Sequence, residues 1–153
     1  NILLSCSKLF MKVNFKKGDF LISADNSLLD IKVIHGYLSR SYWAKNRPLR
    51  TTKKAIQNSV CFGLYLNKTQ IGFARVVTDK ATFAYLADVF VLEEFRGMGL
   101  SKWLMKVILG YDELKNLRRW FLATKDAHGL YEKFGFHSLK EPEKIMEMLR
   151  KDL

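Results

Sequence analysis

One junction limits what this chain can fold into: a long strand-like run passes through a glycine pair directly into a helical pattern. Thr82–Leu92 (TFAYLADVFVL) is apolar and rich in aromatic and β-branched residues, which reads as a strand. After EEFRGMG, the residues Leu100, Trp103, Leu104, Val107 and Ile108 recur at helical spacing, and Gly110 lies near the end of that pattern. Arg118–Ala123 (RRWFLA) then returns to strand character. A strand, a helix and a strand in succession make a crossover, so these two strands are expected to be parallel and the connection right-handed. Upstream, Val60–Leu66 and Gln70–Thr78 are separated by Asn67-Lys68-Thr69, and Asp79-Lys80 turns into Thr82–Leu92. Such short turns imply an antiparallel meander, and the whole sheet is therefore mixed.

The remaining elements follow from caps and breakers. Phe20–Ser23 reads as a first strand, and Asp25, Asn26 and Ser27 are candidate caps for a helix carrying Leu28, Leu29, Ile31, Ile34, Tyr37 and Leu38. Pro48 forces a break, and a second helix is expected over about 50–58 with Ala55 and Ile56 inward. Asp126 is the expected cap of a helix from Ala127 to about Phe134, which Gly135 ends. Phe136–Leu139 and Ile145–Leu149 read as closing strands. The order is β-α-α-β-β-β-α-β-α-β-β, an α/β chain with an α+β-like mixed sheet. Its 153 residues suit one domain. Met11 opens MKVNFKKGDFLIS like a natural start, so residues 1–10 are expected to be an extension without a functional role, and 11–153 the single domain.

Charge and cysteine content narrow the classes of function. With 26 Lys and Arg against 15 Asp and Glu, the net charge is +11, which favours a phosphate-rich small molecule, nucleic acid or an anionic surface as partner. The basic residues are spread along the chain, which makes nucleic acid the less favoured of these. Cys6 and Cys61 are too few and too far apart for a metal cluster or a disulfide framework, so no metal is expected, and Cys61 in its apolar run reads as a reduced core thiol. No apolar run approaches the ~20 residues of a membrane span, and NILLSCSKLF lacks the basic start of a signal peptide. A cytoplasmic protein with no membrane partner is expected.

The glycine loop carries the chemistry. A helix start offers free N–H groups and partial positive charge, and glycines let a phosphate approach the backbone. Arg96-Gly97-Met98-Gly99-Leu100-Ser101 is thus a candidate anion site, with a plain helix entry as the alternative. There is no GxxxxGK run, and Lys102 stands where a dinucleotide fingerprint needs its third glycine.

The run VFVLEEFRGMGLSKWLM resembles the acyl-CoA-binding motif of the GNAT superfamily of N-acetyltransferases, Arg or Gln, two residues, Gly, one residue, then Gly or Ala. Arg96 and Gly99 match, and Ser101 departs from the pattern. Leu130-Tyr131-Glu132-Lys133-Phe134-Gly135-Phe136 resembles the superfamily's closing helix and turn. The resemblance covers about residues 60–140. It implies an acetyl-CoA-dependent N-acetyltransferase of GNAT-type fold, in which an amine attacks the thioester directly.

The resemblance also implies roles. Val89, Phe90 and Val91 would pair with pantetheine. The backbone of Gly97, Met98, Gly99, Leu100, Ser101 and Lys102 would hold the pyrophosphate, with Lys102, Lys106 and Lys133 candidates for outer phosphates. A backbone N–H near Val89 would face the oxyanion, and Tyr131 would be the acid that protonates the leaving thiolate. Leu86-Ala87-Asp88-Val89-Phe90-Val91 is similar to a run in polyamine-acetylating members. Ala87 replaces their Glu, whereas Asp88 is retained as a candidate base or amine-binding group. His35, His128 and His137 are alternatives at unmatched positions. Arg40, Tyr42, Trp43 and Arg47, between the first two helices, are candidates for acceptor binding and suit a planar or anionic molecule. The acceptor is a small amine or a protein amine. The alternatives are RNA such as a charged tRNA, or a non-catalytic domain that binds acyl-CoA or nucleic acid. A homodimer is the oligomer left open.

Overall fold

The computed structural model describes residues 13–150, so Cys6 and the expected extension over 1–10 lie outside the described residues. The chain divides into two compact units, one ending at Ala123 and the other beginning at Thr124.

The first unit holds a six-stranded sheet in the order β1-β2-β3-β4-β5-β6. Its strands are β1 Asn14–Lys17, β2 Phe20–Ser23, β3 Val60–Leu66, β4 Thr69–Thr78, β5 Phe83–Val91 and β6 Arg119–Leu122. Each pair from β1 to β5 is antiparallel, and β5–β6 is parallel, as the strand–helix–strand order requires. The β3–β4 turn places Asn67 and Lys68 at φ 46° and 70°, which suits the two-residue turn that keeps hairpin twist.

Helices α1 Ile31–Leu38 and α2 Leu49–Gln57 lie between β2 and β3 in the chain. The cap of α1 is Asp30, whose Oδ1 accepts from the N–H groups of Lys32 and Val33 at 2.9 and 3.3 Å. Asp25, an expected cap, instead closes the short 3-10 turn Asn26–Leu28. Pro48 is the residue at which α2 begins, and Thr52 is the side chain α2 buries, with Ala55 and Ile56 half-buried beside it. Ile34, Leu38 and Ala44 pack with Cys61, Phe73 and Phe90 on one face of the sheet. Phe62 points to the other face. Its ring meets Tyr111 edge-on at 5.1 Å, just past α3 Leu100–Gly110, the helix that buries Leu104, Met105 and Ile108.

Other expectations fail. β1 was not expected, because NFKK is mostly polar; it is an exposed edge strand whose lysines suit an edge that must not pair further. The closing strands Phe136–Leu139 and Ile145–Leu149 are absent: neither segment joins a ladder, and Met146, Met148 and Leu149 are 93%, 81% and 77% exposed. Apolar, β-prone residues do not make a strand without a hydrogen-bonding neighbour. The second unit contains α4 His128–Glu132 and a 3-10 turn at Pro142–Lys144. Asp126 does not cap α4; Ala127 holds that position, and its N–H donates to Thr124 Oγ1 at 3.0 Å.

Close backbone approach at β4–β5 has a testable consequence. A Cβ at Gly72 would lie 2.9 Å from the Phe90 carbonyl oxygen and 3.0 Å from Leu64 Cδ2. Gly72→Ala is therefore expected to cost about 1–3 kcal/mol in urea unfolding. Gly36→Ala, in open space on α1, is expected to be neutral or to stabilise by up to about 1 kcal/mol.

Candidate functional site

The site begins with a break in register. Phe73 faces Phe90, but Arg75 faces Ala87, so Asp88 and Val89 together oppose Ala74. This is a β-bulge in β5, and Asp88 takes the left-handed φ of 52° within it. Its carboxylate is 5% exposed as a residue and accepts three side-chain hydrogen bonds. Trp43 Nε1 donates at 3.1 Å, Arg47 at 2.8 Å and Arg75 Nε at 2.8 Å. Arg75 also donates to Ser59 Oγ at 3.2 Å. Burial by itself would push the Asp88 pKa up; the hydrogen bonds and charges of Arg47 and Arg75 outweigh it and hold the carboxyl below the ordinary Asp range.

The second feature is a splay. β5 pairs with β6 only from Phe83–Arg119 to Leu86–Leu122. From Ala87 to Val91 the β6-facing edge of β5 has no strand partner among the described residues; the Val91 carbonyl accepts from Arg96, and no ladder bond takes up the other backbone groups on that edge. Val89, Phe90 and Val91 occupy this freed stretch.

Third comes the loop. Gly97 and Gly99 have φ of 79° and 75°, a region where only glycine sits without strain, and a Cβ at either would meet nothing within 4 Å. Gly99 is the cap residue of α3 and supplies no side-chain hydrogen bond, so the first N–H groups of α3, from Leu100, Ser101 and Lys102, are open at its positive end. Leu100 is buried and anchors the helix start, Ser101 is half-buried, and Lys102 and Met98 are exposed. Arg96 does not point away as a free cation: Nε donates to the Val91 carbonyl at 3.2 Å, and its guanidinium also donates to Tyr37 Oη at 2.9 Å.

Tyr37, which helical periodicity read only as core, joins these features by its contacts. Its ring stacks on Phe90 at 4.0 Å and 8°, Arg40 lies over its face at 4.5 Å, and its hydroxyl receives Arg96. Arg40 in turn grips Glu93 with both terminal nitrogens and holds that carboxyl down at about 2. Thus α1 and the segment after it are bound to β5 and to the glycine loop. Of the expected acceptor residues, Trp43 and Arg47 are brought onto Asp88, and Tyr42 packs edge-on against Trp43 at 5.0 Å.

The other candidates fall elsewhere. His35 contacts Thr52 Oγ1 at 3.3 Å, between α1 and α2. His128 opens α4, and His137 hydrogen-bonds the neighbouring Ser138 carbonyl. Lys106 and Lys133 are exposed. Tyr131 belongs to the second unit, where its ring meets Phe136 at 5.9 Å and its carbonyl accepts from the Phe136 N–H across the Gly135 turn, φ 90°. Cys61 is buried and reduced; burial pushes its thiol up to about 12 despite the opposing charge of Arg75, which suits a packing residue rather than a nucleophile. Among the described residues, no helix is long and apolar enough to cross a membrane.

A mixed sheet whose parallel pair splays beside a glycine-capped helix defines an acyltransferase-like architecture, and comparison with known proteins agrees. The model of the acetyltransferase (GNAT) family matches residues 31–136. A Gibberella zeae protein, provisionally named an acetyltransferase, is 32% identical over 141 residues, spanning 78% of this chain and 80% of that protein. A GNAT-family structure from Xanthomonas campestris pv. campestris, also provisionally named an acetyltransferase, is 50% identical with a TM-score of 0.84, over 88% of this chain and 95% of that one. A GNAT acetyltransferase from Elizabethkingia anophelis, solved with acetyl-CoA bound, shares the fold at 15% identity and a TM-score of 0.63, over 89% and 91% of the two chains. The chain belongs to the GNAT acetyltransferase family, and with that membership it is an acyltransferase of the N-acetyltransferase kind.

Removing the Asp88 carboxylate leaves two guanidinia without their partner. Asp88→Asn is expected to destabilise the protein by about 3–5 kcal/mol. The sign of the pH effect follows from the lowered pKa. The stabilisation is complete above the unfolded Asp value of about 3.9 and is lost as pH falls through the lower folded value. Denaturation midpoints measured from pH 7 to pH 2 should therefore fall less steeply at the acid end in Asp88→Asn than in the wild type.

Proposed function

We propose that this chain transfers the acetyl group of acetyl-CoA to the amine of an acceptor. The observation that carries this reading is the adjacency of two binding edges. The freed edge of β5 at Val89–Val91 leads directly into the left-handed glycine loop and the open N–H groups of α3. An amide-rich pantetheine suits the first, and a pyrophosphate suits the second. The E. anophelis relative of the same fold, which holds acetyl-CoA, supports the assignment.

In this reading the backbone of Gly97 through Lys102 binds the pyrophosphate. Val89, Phe90 and Val91 align the pantetheine, and a bulge N–H near Val89 donates to the developing oxyanion. The acceptor nitrogen forms its bond to the acyl carbon as the carbon–sulfur bond breaks. Tyr131 gives its phenolic proton to the leaving thiolate. With pKa values of about 10 for a phenol and 8.5 for a thiol, that transfer is modestly uphill and within reach of small environmental shifts. Asp88, with its pKa lowered and both oxygens engaged, is a weak proton acceptor. Its role here is to hold the bulge, and the proton from the amine leaves through water.

Calorimetric titration with acetyl-CoA checks the reading. Wild type should bind, and Gly99→Glu, which adds a carboxylate to the phosphate cradle and strains φ, should not. Tyr131→Phe should bind normally but turn over about 10²–10⁴-fold more slowly, the span expected for loss of a general acid. Binding by Gly99→Glu with unchanged affinity would place the cofactor elsewhere.

A further inference from the structure

The charge on the acceptor side has one sign. Between Asp30 and Asp79 the sequence contains no Asp or Glu, and this stretch includes all of α1, the segment after it and α2. Arg40, Lys45, Arg47, Arg50, Lys53 and Lys54 fall between residues 39 and 57, all but Arg47 exposed. The carboxylates near them come from β5 and the turn after it, and two are already occupied: Asp88 by Arg47, Arg75 and Trp43, and Glu93 by Arg40. Glu94 is exposed beside Arg40. Around the bulge and the turn, four guanidinia (Arg40, Arg47, Arg75, Arg96) therefore meet three carboxylates, and the excess is positive.

A polycationic amine needs unpaired carboxylates, and Asp88 offers none. Arg47 differs from Arg75: it gives one nitrogen to Asp88 and keeps 22% of its side chain exposed, next to Trp43 on the same carboxylate, whereas Arg75 is 14% exposed and also donates to Ser59. A guanidinium fixed at one end and open at the other is suited to grip an oxyanion.

We infer that the acceptor is an anionic amine, carrying a carboxylate or phosphate near the reacting nitrogen, and that Arg47 binds this oxyanion. This rests on the proposed acetyl transfer at the same site. Trp43 and Tyr42 supply the flat apolar wall against which such a molecule lies. Asp88 holds Arg47 in place and does not contact the acceptor.

The test uses the full chain with acetyl-CoA and a panel of primary amines of matched size: carboxylated, phosphorylated, neutral and polycationic. Thiol release is measured for each, and the indole N–H resonance of Trp43 is followed during titration of the acetyl-CoA-loaded protein. Anionic amines should have KM values at least about tenfold below the neutral ones, rising with ionic strength. Preference for the carboxylated or the phosphorylated set identifies the oxyanion. Arg47→Gln should raise KM for anionic amines about tenfold or more, by a clearly larger factor than for the neutral amines, and Arg47→Lys should restore part of it. Preference for neutral or polycationic amines, or an Arg47→Gln variant with unchanged KM, overturns the inference. So does the absence of both turnover and a Trp43 shift with every anionic amine. Calorimetric binding of acetyl-CoA separates the failures: if it is intact, only the acceptor class is wrong; if it is missing, the acetyl-transfer reading has failed.

Discussion

The buried carboxylate of Asp88 is the interaction on which this site depends. An L-residue at positive φ inside a strand is strained, and it persists only where its surroundings over-determine it. Here three donors from two segments do so: Trp43 and Arg47 from the connection between α1 and α2, and Arg75 from β4. The bulge they stabilise turns the backbone of β5 where its pairing with β6 ends. A buried ion cluster of this kind is a poor source of net stability but a strong source of specificity, because removing any member leaves the others desolvated and unpaired. The same contacts that shape β5 at the bulge also order the connection between α1 and α2.

A second set of contacts joins the glycine loop to α1. The Arg96 side chain is exposed, yet it donates to the Val91 carbonyl and to the Tyr37 hydroxyl. Its part is thus to hold the loop against the strand and the helix, while the backbone amides of the loop remain open. Tyr37 links this anchor to Phe90 by stacking and to Arg40 by a cation–π contact worth about 0.5–1 kcal/mol at an exposed position. The chemistry of the glycines and the geometry of the strand are therefore supported from the same helix.

Much of this was legible in the sequence, and for physical reasons. Period-2 and period-3.6 patterns located β3, β4, β5 and α3 closely, and the strand–helix–strand order required a parallel pair. Gly97, Gly99 and Gly135 adopt positive φ, where the turn chemistry called for glycine. What could not be read was pairing. Phe136–Leu139 and Ile145–Leu149 have strand composition, but composition does not reveal whether a neighbour is present. β1 hides because an exposed edge strand is selected for charge, not for apolar content. Asp88 read as a candidate base or amine binder since a sequence does not show that Arg47, 41 residues away, and Arg75 converge on it. One signal was available: a chain stretch with many cations and no acid must find its counterions elsewhere, and Asp88 and Glu93 are among the first carboxylates after it.

Amide hydrogen exchange with and without acetyl-CoA is the measurement to make first, because it reads the backbone donors proposed to hold the cofactor. Slowed exchange on binding should concentrate at residues 89–91 and 97–102, with little change along β1, β2 and β3. Protection that spares the glycine loop and the freed edge of β5, or that appears only elsewhere, would contradict that proposal.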